Sequence, residues 1–305
     1  MSGSQGIRVV ARAAAILALI ASSLSWAEEP APESDAGQAV WKAAAAAMKH
    51  GPQTIELREQ ARLTLPEGYG FVPEKEGAAV MEMMGNTTDP RFLGLIFPTS
   101  SEAQWFVTLD YEPSGYIKDD DAKVWNADEL LQNLKEGTEA ANEHRKDMGV
   151  PQLEVTRWVE KPTYDSPTHR LVWSAEARDK SGQQSDPTIN YNTYVLGREG
   201  YVSLNLITTA STVEADKPSA HQLLEAVSFN DGKRYTDFNA STDKVAAYGL
   251  AALVGGIAAK KLGLLAGLGV FFAKFAKLII VGLGAAGTAI AKFFKGRGSD
   301  STTQA

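Results

Sequence analysis

Between Val245 and Ala291 the chain carries only four charged residues in 47, Lys260, Lys261, Lys274 and Lys277, and no acid. So apolar a stretch must be withdrawn from water, and that requirement constrains what precedes it. The lysines divide it into apolar runs of 15, 12 and 14 residues, each shorter than the roughly 20 a spanning helix needs. With their flanks included, the lengths suffice. Lys274 and Lys277 precede the third run and Lys292 and Lys295 follow it, each 18 residues on, which is about 27 Å along a helix axis. That is close to the thickness of a bilayer core, and lysine stems can carry their ammonium groups to either surface. Residues 245–295 are therefore expected to form a membrane anchor, a single helix or a helical hairpin, with 296–305 a polar tail. A buried helical hairpin or an amphipathic surface helix are the alternatives, but core helices seldom run so long without acids or caps.

The opposite end reads as an export signal. Arg8 and Arg12 make a positive start, residues 13–24 an apolar stretch of 12, and Ser25-Trp26-Ala27 a small-x-small exit. Residues 1–27 are expected to be a signal peptide, 28–52 a mobile lead and short helix, and 53–240 an exported domain. Charge separates these parts. Residues 28–244 hold 36 acidic against 21 basic side chains, a net −15, whereas residues 245–305 hold seven basic side chains and one acid, Asp300. An acidic body is the wrong surface for nucleic acid, whose phosphates need Lys and Arg. The absence of cysteine removes disulfide scaffolds, thiol nucleophiles and Cys-ligated metals together.

Within the body, periodicity predicts an α+β domain, mainly antiparallel sheet with two or three packed helices. Asp35 and Gln38 open a helix that stops at Gly51-Pro52. Ile55 and Leu57, then Leu63 and Leu65, alternate on either side of a polar turn and read as a hairpin. Further strands are expected over 92–97, 104–111, 153–159, 170–178, 188–196 and 201–208, the last two joined by a turn at Gly197-Arg198-Glu199-Gly200. In 170–178, Leu171, Trp173, Ala175 and Ala177 share one face and Arg170, Ser174, Glu176 and Arg178 the other, the pattern of a half-solvated strand. Asn126 and Glu129 open a long helix with Leu130, Leu131, Leu134, Ala141 and Met148 as its apolar stripe. Another helix is expected to follow Asp216-Lys217-Pro218, with Ala220, Leu223, Leu224 and Val227 inward and an end at Asn230-Asp231-Gly232.

Two loops hold the chemistry-bearing side chains. Asp119, Asp120 and Asp121 form the densest carboxylate cluster and suit a hard cation by ligand type. Their contiguity, between Lys118 and Lys123, departs from the alternate spacing of a calcium loop, and a salt-bridged loop fits better. Asp165 and His169 place an acid and an imidazole four residues apart before a strand, an arrangement compatible with acid–base catalysis. The four histidines, His50, His144, His169 and His221, are too scattered to support zinc. With no phosphate-binding loop, dinucleotide fingerprint or serine elbow, no cofactor is expected.

Leu63-Thr64-Leu65-Pro66-Glu67-Gly68-Tyr69, the run Tyr111-Glu112-Pro113-Ser114-Gly115-Tyr116-Ile117-Lys118-Asp119-Asp120-Asp121-Ala122, Pro162-Thr163-Tyr164-Asp165 and Tyr191-Asn192-Thr193-Tyr194-Val195-Leu196-Gly197-Arg198 together resemble a family of bacterial membrane-anchored proteins, DUF 2167. The resemblance covers most of the chain, from the first hairpin through the tail. It implies a signal peptide, an exported domain and a C-terminal membrane segment, and brings no catalytic residues. The expected function is a non-enzymatic binding or assembly module at the outer, periplasmic face of the bacterial cytoplasmic membrane. Its expected partners are the lipid bilayer and a protein of the envelope. The alternatives are a membrane-tethered hydrolase or metal-dependent enzyme, or a transporter accessory or sensor subunit suggested by the intramembrane lysines.

One span leaves Lys292, Lys295 and Arg297 in the cytoplasm, following the bias of basic residues. A hairpin turning at Lys260-Lys261 returns them outside and sets Lys274 and Lys277 near the bilayer centre, at about 2.5–3.5 kcal/mol each. A Ser301→Cys chain in intact cells is therefore expected to resist an impermeant thiol reagent. Labelling from outside would replace the single span by the hairpin.

Overall fold

A computed structural model describes residues 35–255, apart from 101, 148, 150 and 183–185. The expected signal peptide, the lead up to residue 34 and the apolar stretch beyond 255, with Lys260, Lys261, Lys274, Lys277, Lys292 and Lys295, lie outside the described residues. Among the described residues no helix is long and apolar enough to cross a membrane.

The chain begins with α1 (Asp35–Ala47), a two-residue strand β1 (Lys49–His50) and the expected hairpin, β2 (Gln53–Leu57) and β3 (Ala61–Leu65). It continues through β4 (Tyr69–Pro73), α2 (Glu74–Met83), β5 (Phe92–Pro98) and β6 (Phe106–Glu112). After a 3-10 turn at Asp120–Lys123 come α3 (Ala127–Asp147), β7 (Leu153–Asp165), β8 (Arg170–Asp179), β9 (Thr188–Leu196) and β10 (Tyr201–Thr209). The described part closes with α4 (Val213–Glu225), β11 (Val227–Phe229), a 3-10 turn at Tyr235–Asp237 and a single turn, α5 (Ala252–Gly255).

Eight strands form one antiparallel sheet in the order β1-β4-β5-β6-β10-β9-β8-β7, and β11-β3-β2 form a smaller one. The class is α+β, with four helices longer than one turn among the described residues. Alternation sends successive side chains of the large sheet to opposite faces, and both faces are covered. On one, Val107, Leu109, Leu204 and Tyr191 pack against Leu63 and Leu65 of the small sheet and Leu223 and Leu224 of α4. On the other, Leu95, Phe97 and Phe106 meet Ala44 of α1 and Val80 and Met81 of α2. Further along that face, Leu171, Trp173 and Tyr194 meet Leu130 and Leu134 of α3, joined by Leu250 and Val254. The first residues of the expected anchor, Val245 to Gly255, thus contribute core side chains to the folded domain.

Three expectations are corrected. Strand β8 is not half-solvated: Ser174 and Glu176 are buried although polar. Ser174 Oγ donates to the Asn190 carbonyl at 2.9 Å, and Glu176 accepts from Arg157 at 2.7 Å and from Arg178 at 2.5 Å. Polar residues on this face are internal because each has a partner there. Helix α4 opens before Pro218, at Val213, with the Ala215 and Asp216 N–H groups on the Thr212 carbonyl. It also ends earlier, because Val227 leaves it to pair with Leu63 as the start of β11. Helix α2 was not foreseen: its N-cap is Pro73, which makes no side-chain capping bond.

The buried stripe of α3 is apolar only at its start. Leu130 and Leu134 give way to Thr138, Asn142 and Arg145, all buried. Asn142 works as a clamp on β7, its Nδ2 donating to the Leu153 carbonyl and its Oδ1 accepting from the Leu153 N–H, both at 2.9 Å. Arg145 Nε donates to the Pro151 carbonyl at 2.7 Å. The long helix is thereby tied to an edge strand by backbone-directed hydrogen bonds. Replacing Asn142 by Leu leaves both main-chain groups of Leu153 without these partners, at about 1–3 kcal/mol for an unsatisfied buried group. Urea unfolding is expected to show a lower midpoint with an unchanged slope. An unchanged midpoint would remove the clamp.

Candidate functional site

The two chemistry-bearing loops meet. The loop after β6 delivers Tyr116 and Asp119, the end of β7 delivers Tyr164, and the turn from β7 to β8 delivers His169. Tyr164 lies between them, its hydroxyl donating to Asp119 Oδ2 at 2.8 Å and standing 3.2 Å from His169 Nδ1. The hydroxyl has one proton, given to Asp119, so the contact to His169 is satisfied with a proton on Nδ1. Burial raises the Tyr164 pKa, and the hydrogen bond to Asp119 raises it further. Burial lowers that of His169 below its ordinary 6.5, against the pull of Asp119 and Asp165. Near neutral pH the phenol therefore keeps its proton and the imidazole is neutral.

His169 holds this place at a backbone cost. Its φ of +54° lies in the left-handed region, at about 1–3 kcal/mol for a residue with a side chain. Its carbonyl accepts the Leu196 N–H at 2.9 Å, which fixes the turn to β9. The imidazole stacks at 4.2 Å on Tyr235, Tyr235 at 4.4 Å on Tyr116, and Tyr116 at 3.8 Å on Phe238. Tyr235 also donates to the Ile117 carbonyl at 2.7 Å. Four rings thus join the two loops to the segment leading out of the domain.

That outgoing segment is fastened at three successive points. Arg198, in the β9–β10 turn, makes a bidentate pair with Asp243, Nε to Oδ2 at 2.7 Å and Nη2 to Oδ1 at 2.8 Å. Tyr116 then exchanges two backbone bonds with the next residues, its N–H to the Lys244 carbonyl and its carbonyl from the Ala246 N–H, both 2.8 Å. This approach needs Gly115, whose φ is +91° and whose added Cβ would lie 2.6 Å from the Lys244 oxygen. Last, the Asp121 carboxylate accepts the N–H groups of Leu250 at 3.1 Å and Ala251 at 3.0 Å. The Leu250 N–H also meets the Lys118 carbonyl at 3.2 Å, and the carboxylate, from outside the segment, caps the chain entering α5.

The three contiguous aspartates are therefore divided. Asp119 serves Tyr164, Asp121 caps the exit, and Asp120 is an exposed partner of Lys123 at 3.4 Å. Asp165 accepts from Thr168 inside its own turn rather than from His169. Among the described residues no group of three or more His, Cys, Asp or Glu side chains is arranged to hold a metal ion. An open depression of about 280 Å³ between α3 and β7, lined by Lys135, Glu139 and Lys180 among others, includes none of the candidate residues. Sequence reasoning passed over Tyr116, Tyr235 and Phe238 as site residues. Tyr116 did stand in the same long motif as the aspartates, and Tyr164 beside Asp165.

A family model described as "Protein of unknown function (DUF2167)" matches residues 49–284. No curated protein sequence matches the chain. Among solved structures, the chain is similar to cyanobacterial PsbP (CyanoP) of Synechocystis sp. PCC 6803 at 11% identity and TM-score 0.36, covering 61% of this chain and 94% of that one. It is similar to the Ran-binding protein Mog1p of Saccharomyces cerevisiae at 11% identity and TM-score 0.31, covering 58% and 91%. A third likeness is to PA94 of Pseudomonas aeruginosa, a protein of unknown function and putative regulator, at 10% identity and TM-score 0.21, covering 56% and 91%. At these scores the likenesses carry no argument about function.

The fastening has a pH signature. The Arg198 hydrogen bonds, with the Asn239 N–H, hold the Asp243 carboxyl well below its ordinary 3.8. A depressed carboxyl contributes stability that is present above its unfolded value and lost as pH falls towards the folded one. Asp243→Asn is therefore expected to be less stable than the parent at neutral pH, with the gap narrowing below about pH 4. Denaturant titrations across that range check it, and a gap that does not change with pH would remove the charge from the tie.

Proposed function

Since the chain belongs to the DUF2167 family, described only as proteins of unknown function, we propose from its own geometry that it is a tethered, non-enzymatic binding or assembly module. In this reading its acidic domain stands on the exported, periplasmic side of the bacterial cytoplasmic membrane and its apolar C-terminal stretch lies in the bilayer. The supporting observation is where the polar side chains are engaged. Asp121, Arg198 and Asp243, with the Tyr116 backbone, hold the segment that leads into that stretch. Asp121, one of the residues that first suggested chemistry, thus has a mechanical occupation, fixing an outgoing tether to the sheet. The acidic surface disfavours nucleic acid and leaves a protein of the envelope as the partner class.

One feature favours a second reading, a tethered hydrolase. Asp119, Tyr164 and His169 form a hydrogen-bonded relay, and a neutral imidazole in such a relay is suited to accept a proton.

Photocrosslinking from the exported domain of the full chain in intact cells is expected to recover one reproducible protein partner. Recovery of neighbours only in proportion to their abundance would sink the binding reading. If Tyr164→Phe and His169→Ala chains that remain folded and membrane-bound reproduce the phenotype of a deletion, the relay is chemical and the hydrolase takes its place.

A further inference from the structure

We infer that residues Lys118 to Trp125, with Lys244 to Ala247, form a lipid-contacting surface that seats the domain in the headgroup region and fixes its orientation at the bilayer. This rests on the preceding proposal that the C-terminal stretch lies in the membrane, and adds which face of the domain meets it.

The argument begins with reach. Asp121 holds Leu250 and Ala251, and Leu250 and Val254 are buried in the core, so the chain is fixed to the domain as far as the one-turn helix ending at Gly255. Lys260 and Lys261, the first charges of the apolar stretch, follow five and six residues later. Even fully extended, five residues span no more than about 18 Å. If those lysines mark the lipid surface, the Asp121 loop is held within a short distance of the headgroups.

What that loop presents is suited to the place. Val124 is 82% exposed, and Val245 40%, two of the three large apolar side chains exposed among the described residues. Trp125 is half-buried beside Val124, and an indole with one side free is a preferred group at a membrane interface. Lys118, Lys123 and Lys244 are exposed around them. Within these two segments Lys118, Lys123 and Lys244 balance Asp119, Asp120 and Asp121, so the face is neutral while the remainder of residues 28–244 is strongly acidic. A negatively charged leaflet repels the rest of the domain and not this neutral face, which turns this surface, with its exposed apolar side chains, towards the lipid.

The chain contains no cysteine, so one introduced thiol reports alone. Full chains carrying Val124→Cys or, in the loop at the other end of β6, Ser100→Cys are labelled with an environment-sensitive fluorophore. They are reconstituted in vesicles of phosphatidylethanolamine and phosphatidylglycerol, with and without a headgroup-region nitroxide lipid. Expected are a blue shift and strong quenching at position 124, retained as phosphatidylglycerol is raised, and neither at position 100. A chain that floats with vesicles after alkaline carbonate but shows no quenching at 124 overturns the surface and leaves the tether standing. A chain that does not float overturns the tether, and the surface with it.

Discussion

An antiparallel sheet whose strands are apolar on both sides must find a cover for each face, and this chain has to find two from about 220 residues. The large sheet is the constraint from which the rest follows. Burying apolar surface stabilises by roughly 25 cal/mol per Å², so neither face can be left to solvent. The chain sends the β2–β3 hairpin and α4 to one side, and α1, α2 and α3 to the other. Two helical groups share the second face, one beside β4 and β5 and one beside β8 and β9. Between them runs a row of polar side chains: Thr108, Asn205 and Asn192 are cross-strand neighbours and all are buried. Asn205 donates to Asn190 Oδ1 at 3.3 Å, and Asn192 to the Asn190 carbonyl at 3.0 Å. The two asparagine amides thus donate along the sheet, while Thr108 Oγ1 and Asn205 Oδ1 are buried without a hydrogen-bond partner.

Most strands were legible because alternation is a local property. β9 runs over the expected residues, and β5, β6, β8 and β10 differ by one or two at their ends. What failed were inferences about surroundings. β8 looked half-solvated because Arg170, Ser174 and Glu176 are polar, and nothing local shows that Arg170 reaches the Val227 carbonyl or Glu176 the Arg157 guanidinium. Val227 fitted a helical stripe with Leu223 and Leu224 and is instead a strand residue, since its partner Leu63 lies 164 positions away. α2 was silent because Pro73 gives no capping side chain and Gly77 weakens the helical pattern. Gly77 is there for another reason: an added Cβ would stand 3.1 Å from the Phe92 ring.

The site was legible in its parts and not in its assembly. Carboxylate density marked Asp119 to Asp121, and the acid–imidazole pairing marked Asp165 and His169. The side chain that unites the loops is Tyr164, 45 positions from Asp119, and it carries no signature distinguishing it from the other tyrosines. The pairing itself misled, because Asp165 is the neighbour in sequence and Asp119 the one linked to His169 through Tyr164. Residues singled out as ligands or catalysts by type are also the residues best able to accept backbone N–H groups. Asp121 at Leu250 and Ala251 shows how readily a carboxylate is used as a cap.

The order in which the outgoing segment is fastened gives the domain a load path. Tension applied from beyond Gly255 reaches the Asp121 carboxylate first, then the two backbone bonds of Tyr116, then the Arg198–Asp243 pair. Because the attachments lie in series along the chain, they release one after another, each freeing a few residues of slack before the next is loaded. The last of them is rooted in the turn between β9 and β10, which are paired along their full lengths. A pull on the tail thus breaks its attachments in short steps at the rim before any strand pair need separate.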